Sequence, residues 1–167
     1  MIRNFMISKY LELGPQAEEL FHNLLHQVAI DYGNSLRQIF GEAVTEDYIQ
    51  LLHMQFELID AFLSAQKEGN VDEINRITQL LYQNAEDRSA FIGSLNPFWD
   101  QTVWEKQAFN NVNCTINEFT TFLMGDYARN IDIFSTLLNQ AEVTGDYFVR
   151  GVLKYLENQC RESLAGR

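Results

Sequence analysis

The chain has 167 residues, 46% of them hydrophobic, which is enough for one domain with a substantial core. Its 23 acidic residues against 12 basic ones give a formal net charge of −11, which argues against binding to nucleic acid or to anionic membrane. Two cysteines without a shared motif, no signal peptide and no apolar run of membrane-spanning length predict a protein of the reducing cytoplasm.

Apolar residues recur at intervals of three and four along almost the whole chain, which is the spacing of amphipathic helices. Glycine, proline and capping residues interrupt this pattern. The predicted helices are residues 2–13, 15–40, 46–68, 71–95, 98–112, 115–124 and 126 to about 160. No segment shows strand alternation. We therefore expect a single all-α domain over residues 1–167, an antiparallel bundle of four main helices plus shorter ones.

Individual residues predict several of the boundaries. A kink or break is expected around Gly33 in the second helix. Thr45 is the expected N-cap of the third helix. Thr115 and Glu118 have the spacing of a capping box, which would open a separate short helix. Gly145 lies within the last helix, where a kink and a continuous helix are both open alternatives.

Two helices and one aromatic cluster define residues that are expected to face the core. On the second helix these are Leu20, Phe21, Leu24, Leu25, Val28, Tyr32 and Leu36. On the last helix they are Ile131, Phe134, Leu138, Ala141, Gly145, Phe148, Val152 and Leu156. The aromatic cluster is Phe98, Trp99, Trp104 and Phe109.

Polar side chains interrupt the apolar stripes, and they are amides and one cation rather than carboxylates or histidines. These positions are Gln55, Asn84, Arg88, Asn110 and Asn111. The amide of Gln55 is expected to be buried and to need partners, from the helix of Asn110 and Asn111 or from the last helix. Two interpretations stay open: a hydrogen-bonded core pair that sets helix register, or a small polar pocket.

Arg88 lies on an apolar stripe, where a guanidinium is expected to find a carboxylate. The candidate partners are Glu57, Asp60, Asp126 and Asp132. A paired structural arginine is one interpretation, and an arginine that binds an anion is the other.

His22 and His26 are one helical turn apart, with Glu18 one turn earlier, and this spacing can hold a metal. Both flank the predicted apolar stripe, so we expect them to face solvent. His53 has no second histidine near it in sequence and is expected at a surface or interface. A metal site built from His22, His26 and His53 is the weaker alternative. No nucleotide-binding, hydrolase or zinc motif is present, and we expect no cofactor and no catalysis.

Several short motifs and single residues, spread over most of the chain, together form a pattern that is separate from the helical stripes. Its members are Tyr32-Gly33-Asn34, Phe40-Gly41-Glu42-Ala43, Leu51-Leu52, Tyr82, Asn84, Ala85, Phe91, Asn96, Pro97, Trp99 and Gly125-Asp126-Tyr127. This pattern resembles a family of small, uncharacterised bacterial all-helical bundle proteins with inconsistent names. The resemblance implies acid–histidine pairs on three helices that bind a metal inside a bundle.

This chain departs from the implied pairs at nearly every position. One pair would lie upstream of Ile2, and the others fall on Met54-Gln55 and on Asn110-Asn111. A further acid falls on Asn130, whereas Asp126 is retained and joins the polar candidates. Amides are poor ligands for transition metals.

We therefore expect a non-catalytic binding or interaction protein, or a relative of a metal-binding bundle that has lost its ligands. The alternative is a metal-dependent, ferritin-like bundle protein. Because the resemblance begins inside the first helix, an apolar groove there would need covering. We expect a homodimer that buries the region of Phe5 and Met6, with a small-molecule ligand that the sequence does not identify.

Overall fold

The computed structural model describes residues 1–165, which form six α-helices and no strand. The helices are α1 (Ile2–Tyr10), α2 (Pro15–Phe40), α3 (Glu42–Glu68), α4 (Val71–Ser94), α5 (Gln101–Leu123) and α6 (Tyr127–Ala165). Each helix packs mainly on its neighbours in sequence, and α1 also contacts α3. The prediction of an all-α antiparallel bundle is confirmed, with five long helices and one short one in place of four main helices.

A single residue, Gly41, joins α2 to α3, and its φ of 89° is a conformation that residues with a Cβ rarely adopt. Because α3 begins at Glu42, Thr45 lies inside the helix rather than at its N-cap. The Thr45 hydroxyl donates to the carbonyl oxygen of Gly41 at 2.8 Å. The predicted N-cap is therefore wrong, since the glycine allows α3 to start one turn earlier.

The predicted break in α2 is also wrong, because the helix is continuous through Gly33. A Cβ at Gly33 would lie 2.3 Å from Cγ1 of Ile49 on α3. The glycine therefore permits a close approach of the two helices. In the last helix, α6 is likewise continuous through Gly145 and is about 58 Å long at 1.5 Å per residue.

Residues 101–123 form one helix rather than the two that were predicted. Its N-cap is Asp100, whose carboxylate accepts from the backbone N–H of Thr102 at 2.8 Å. Thr115 and Glu118, the predicted capping box, are buried within α5. The Glu118 carboxylate forms an ion pair with Arg3 of α1, so tertiary contacts account for these polar residues.

The buried faces of α2 and α6 differ from the predicted stripes. On α2 the buried residues are Leu25, Ala29, Gly33 and Leu36. Exposed residues that were expected inside are Leu20, Leu24, Tyr32, Ile131, Leu138, Ala141 and Leu156. Small residues mark the real contact face of α2, so the helix is rotated relative to the prediction. This rotation turns His22 and His26 towards α3.

The aromatic cluster before and within α5 is only partly buried as predicted. Trp99 and Trp104 are buried and meet edge to face, with ring centroids 5.6 Å apart. Phe109 is half-buried against Tyr82, whereas Phe98 is exposed.

The short helix α1 packs against its own chain. Phe5 and Met6 are 2% and 0% exposed, so neither can form the dimer surface that was expected of them. Lys9 forms an ion pair with Asp60 of α3, which adds to the pairing of Arg3 with α5. Homodimerisation stays a prediction, but an exposed apolar surface around Phe5 and Met6 no longer supports it.

None of the described helices combines the length and hydropathy needed to cross a membrane.

Candidate functional site

All six helices contribute to a central cavity of about 290 Å³. Its polar lining consists of Tyr32, Tyr48, Gln55, Arg88, Ser89, Gln107, Asn111, Gln140 and Thr144. The remaining lining is apolar apart from the indole nitrogen of Trp104. Tyr32 and Ala141 are exposed, so the cavity reaches the surface between α2 and α6. Three of the predicted polar candidates, Gln55, Arg88 and Asn111, therefore meet at one site.

Arg88 is held in the cavity wall by an asparagine one turn earlier on α4. Its Nε donates to Oδ1 of Asn84 at 2.9 Å. The amide nitrogen of Asn84 donates to the backbone carbonyl of Leu51 on α3 at 3.0 Å. Asn84 is 2% exposed, so this pair of hydrogen bonds lies within the core and joins α4 to α3.

No carboxylate among residues 1–165 forms an ion pair with Arg88. Of the four predicted partners, Glu57 contacts histidines and Asp60 pairs with a lysine, while Asp126 and Asp132 are exposed. Burial lowers the pKa of Arg88, and the nearby Tyr48 partly offsets this effect. The cation is therefore half-buried without a negative charge beside it.

Gln55 is 7% exposed, as predicted, but its side chain makes no hydrogen bond with any residue in the described part of the chain. The expected register-setting pair with Asn110 or Asn111 is therefore not formed. Asn111 lines the same cavity, whereas Asn110 is exposed and lines a separate groove between α5 and α6. Of the two interpretations of Gln55, the geometry agrees with the polar pocket.

Asp126 does not belong to this site. It is exposed at the start of α6, where its carboxylate accepts from the backbone N–H of Arg129 at 3.3 Å. Asn130 is buried instead, and its amide nitrogen donates to the carbonyl of Glu118 at 2.6 Å. The two residues thus fasten the start of α6.

Other polar groups of the lining lack partners although they are buried. Oε1 of Gln107, Oε1 of Gln140 and Nε1 of Trp104 have no hydrogen-bond partner among the described residues. Such atoms cost roughly 1–3 kcal/mol each when nothing pairs with them. Neither glutamine was predicted as a site residue from the sequence. Gln107 lies one turn before Asn111 and could have been found from that spacing, whereas Gln140 required the correct rotation of α6.

His22 and His26 lie against α3 rather than facing open solvent, which corrects the prediction for these two residues. His22 and His26 are half-buried, and Nε2 of each lies 3.4 and 3.2 Å, respectively, from Oε1 of Glu57. The ring of His53 lies 4.5 Å from that of His26, measured between centroids. Burial, with His22 and His53 nearby, lowers the pKa of His26 and favours its neutral form.

Comparison with known proteins adds no relationship. No protein-family model matches the chain, and neither a curated protein nor a solved structure matches it. The resemblance to bacterial helical-bundle proteins therefore stays a prediction.

Proposed function

We propose that this bundle is a non-catalytic binding protein for a small organic anion, whose carboxylate pairs with Arg88 in the central cavity. The observation that carries the proposal is a half-buried guanidinium that lines a cavity and has no carboxylate partner among the described residues. A buried charge is costly unless it is paired, and a bound anion would supply the missing partner.

The geometry of Arg88 suits a carboxylate. Its Nε is already used by Asn84, which leaves the two terminal nitrogens without a hydrogen-bond partner in the described chain. These two nitrogens can donate in parallel to the two oxygens of a carboxylate. Since Asn84 orients the guanidinium before any ligand arrives, little ordering is required on binding.

The rest of the lining predicts the other properties of the ligand. Gln55, Gln107, Asn111 and Gln140 can each donate and accept hydrogen bonds, so they suit a ligand with polar substituents beside its acid group. The apolar walls suit a hydrocarbon or ring portion. A volume of about 290 Å³ limits the ligand to the size of a small metabolite.

The lining also favours binding over catalysis. No histidine, cysteine or carboxylate is among the lining residues within the described chain. These are the side chains that most often act as general bases or nucleophiles near neutral pH. Tyr48 does not replace them, since burial raises the pKa of its hydroxyl.

The test is a calorimetric titration of the purified protein with a panel of small carboxylic acids and with their uncharged amide counterparts. Thermal denaturation with and without each compound provides a second measurement of binding. We expect at least one acid to bind with one site per chain and its amide to bind much more weakly. Arg88→Met should weaken binding by about 30-fold or more, which corresponds to roughly 2 kcal/mol.

The matched control is Arg76→Met, which removes an exposed arginine of the same helix. It should leave the affinity unchanged. The proposal fails if no acid of the panel binds, or if Arg88→Met binds the acid as tightly as the unaltered protein.

A further inference from the structure

Three side-chain atoms converge on one point between α2 and α3, outside the central cavity. Nε2 of His22 lies 3.3 Å from Nε2 of His26. Oε1 of Glu57 lies 3.4 and 3.2 Å from these two nitrogens. The two histidines are one turn apart and so share a face of α2, and Glu57 projects from the facing side of α3.

The three distances match those required by a tetrahedral metal centre. Zinc is held by imidazole nitrogen and carboxylate oxygen at about 2.0–2.2 Å, so two ligand atoms on neighbouring corners of a tetrahedron lie about 3.4 Å apart. The observed separations, from 3.2 to 3.4 Å, are all close to this value. All three atoms are therefore placed to reach one ion without moving a helix.

The chemistry of the three atoms points the same way. Two imidazole nitrogens and a carboxylate oxygen that face one another present lone pairs to a common point, and they require a proton or a cation between them. Magnesium and calcium prefer oxygen ligands, so two nitrogens favour a transition metal.

We propose that His22, His26 and Glu57 form a binding site for a divalent transition metal, zinc in the first instance. The protein supplies three ligands, and the fourth position faces solvent, because the Glu57 side chain is 59% exposed. Water fills that position in zinc sites of this type. The bound ion would link α2 to α3 at a point far along both helices from Gly41, the single residue that joins them in the chain.

This site is independent of anion binding at Arg88, and the two are tested with different titrants. The protein is prepared without a histidine tag, freed of metal with a chelator and titrated with zinc chloride by calorimetry. We expect one zinc ion per chain and a higher temperature of thermal unfolding with zinc than without it. Cobalt(II) should give the intense visible absorption of a tetrahedral centre.

Two variants and a control locate the site. His26→Gln and Glu57→Gln should each weaken zinc binding by about 100-fold or more, since even the loss of a group that only orients a ligand costs 10- to 100-fold. Glu57 is exposed, so its replacement leaves the core intact. Glu68→Gln is the control, because Glu68 is an exposed acid of α3 that is not among the three converging residues, and it should bind zinc within about threefold of the unaltered protein.

Either of two results would overturn the proposal. The first is the absence of a stoichiometric zinc site in the untagged protein. The second is a loss of affinity in Glu57→Gln no larger than the loss in Glu68→Gln, which would show that the ligands are not the ones assigned.

Discussion

Asn84 connects the cation of the central cavity to the neighbouring helix. It accepts a hydrogen bond from Arg88 at 2.9 Å and donates one to the carbonyl of Leu51 at 3.0 Å. A leucine of similar size would fill the same space but could make neither bond. The asparagine thus holds the guanidinium in place, and its own burial is compensated by both contacts.

The first prediction follows from these two bonds. Asn84→Ala should lower the free energy of unfolding by about 2 kcal/mol, because it removes two hydrogen bonds within the core and leaves Arg88 Nε without a partner. Asn110→Ala is the control, since Asn110 is exposed on α5. Urea denaturation measures the free energy of unfolding of both variants. Equal losses in the two variants would show that the Asn84 bonds contribute nothing.

Gln55 provides a second prediction. Gln55 is 7% exposed at the cavity wall and its side chain makes no hydrogen bond in the described chain, so Gln55→Leu should leave the free energy of unfolding unchanged or raise it slightly. The same variant should weaken binding of the organic anion, since one polar contact is lost. Met54→Leu, at the exposed neighbouring position, should change neither quantity. A destabilisation above about 1 kcal/mol in Gln55→Leu would indicate a structural hydrogen bond.

Two glycines of α6 form a matched pair for the third prediction. A Cβ at Gly151 would lie 1.8 Å from Nε1 of Trp99, whereas one at Gly145 would meet nothing within 4 Å. Gly151→Ala should therefore lower the free energy of unfolding by about 1–3 kcal/mol. Gly145→Ala should raise it by up to about 1 kcal/mol, because alanine favours the helix. Thermal unfolding monitored by circular dichroism distinguishes the two variants. A stabilised Gly151→Ala would mean that α6 does not pack on Trp99 in this way.

The fourth prediction concerns the pH dependence of stability. Burial raises the pKa of Glu118 above its usual 4.5, and the pairing with Arg3 only partly offsets this. The folded chain therefore keeps the proton over a range of pH in which the unfolded chain has lost it. The contribution of Glu118 to stability is fully present below pH 4.5 and declines as the pH rises through the folded pKa.

Denaturation curves of the unaltered protein and of Glu118→Gln at a series of pH values test this behaviour. The stability of Glu118→Gln relative to the unaltered protein should increase as the pH rises above 4.5. Glu142→Gln, an exposed change on α6, should show no such trend. A constant difference between Glu118→Gln and the unaltered protein would contradict the prediction.

The existence of the helices could be predicted from the sequence, because spacings of three and four persist through every long segment. Their rotation was harder to predict. On α2 the contact with α3 runs over Ala29 and Gly33, which allow close approach but contribute little to an apolar stripe, while the larger Leu20 and Leu24 are exposed. An error in that rotation placed the histidines in solvent.

The site was predictable only in part, for similar reasons. Gln55 and Arg88 were correctly placed at the interior because their helices have clear stripes. Asn110 and Asn111 are adjacent and so point about 100° apart, which means that only one of them can line the cavity. The absence of a partner for Arg88 depends on where residues from other helices come to lie, and local patterns do not contain that information.

The sequential packing of the six helices has a consequence for how the chain folds. Since each helix mainly contacts the next one along the chain, most contacts are local, and chains of this topology fold on the fast side of the known range. The central cavity is different, because its wall includes residues from α1 and from α6. It closes only when the last helix docks, so a bound anion should slow the exchange of amide hydrogens in α6 as well as in α4.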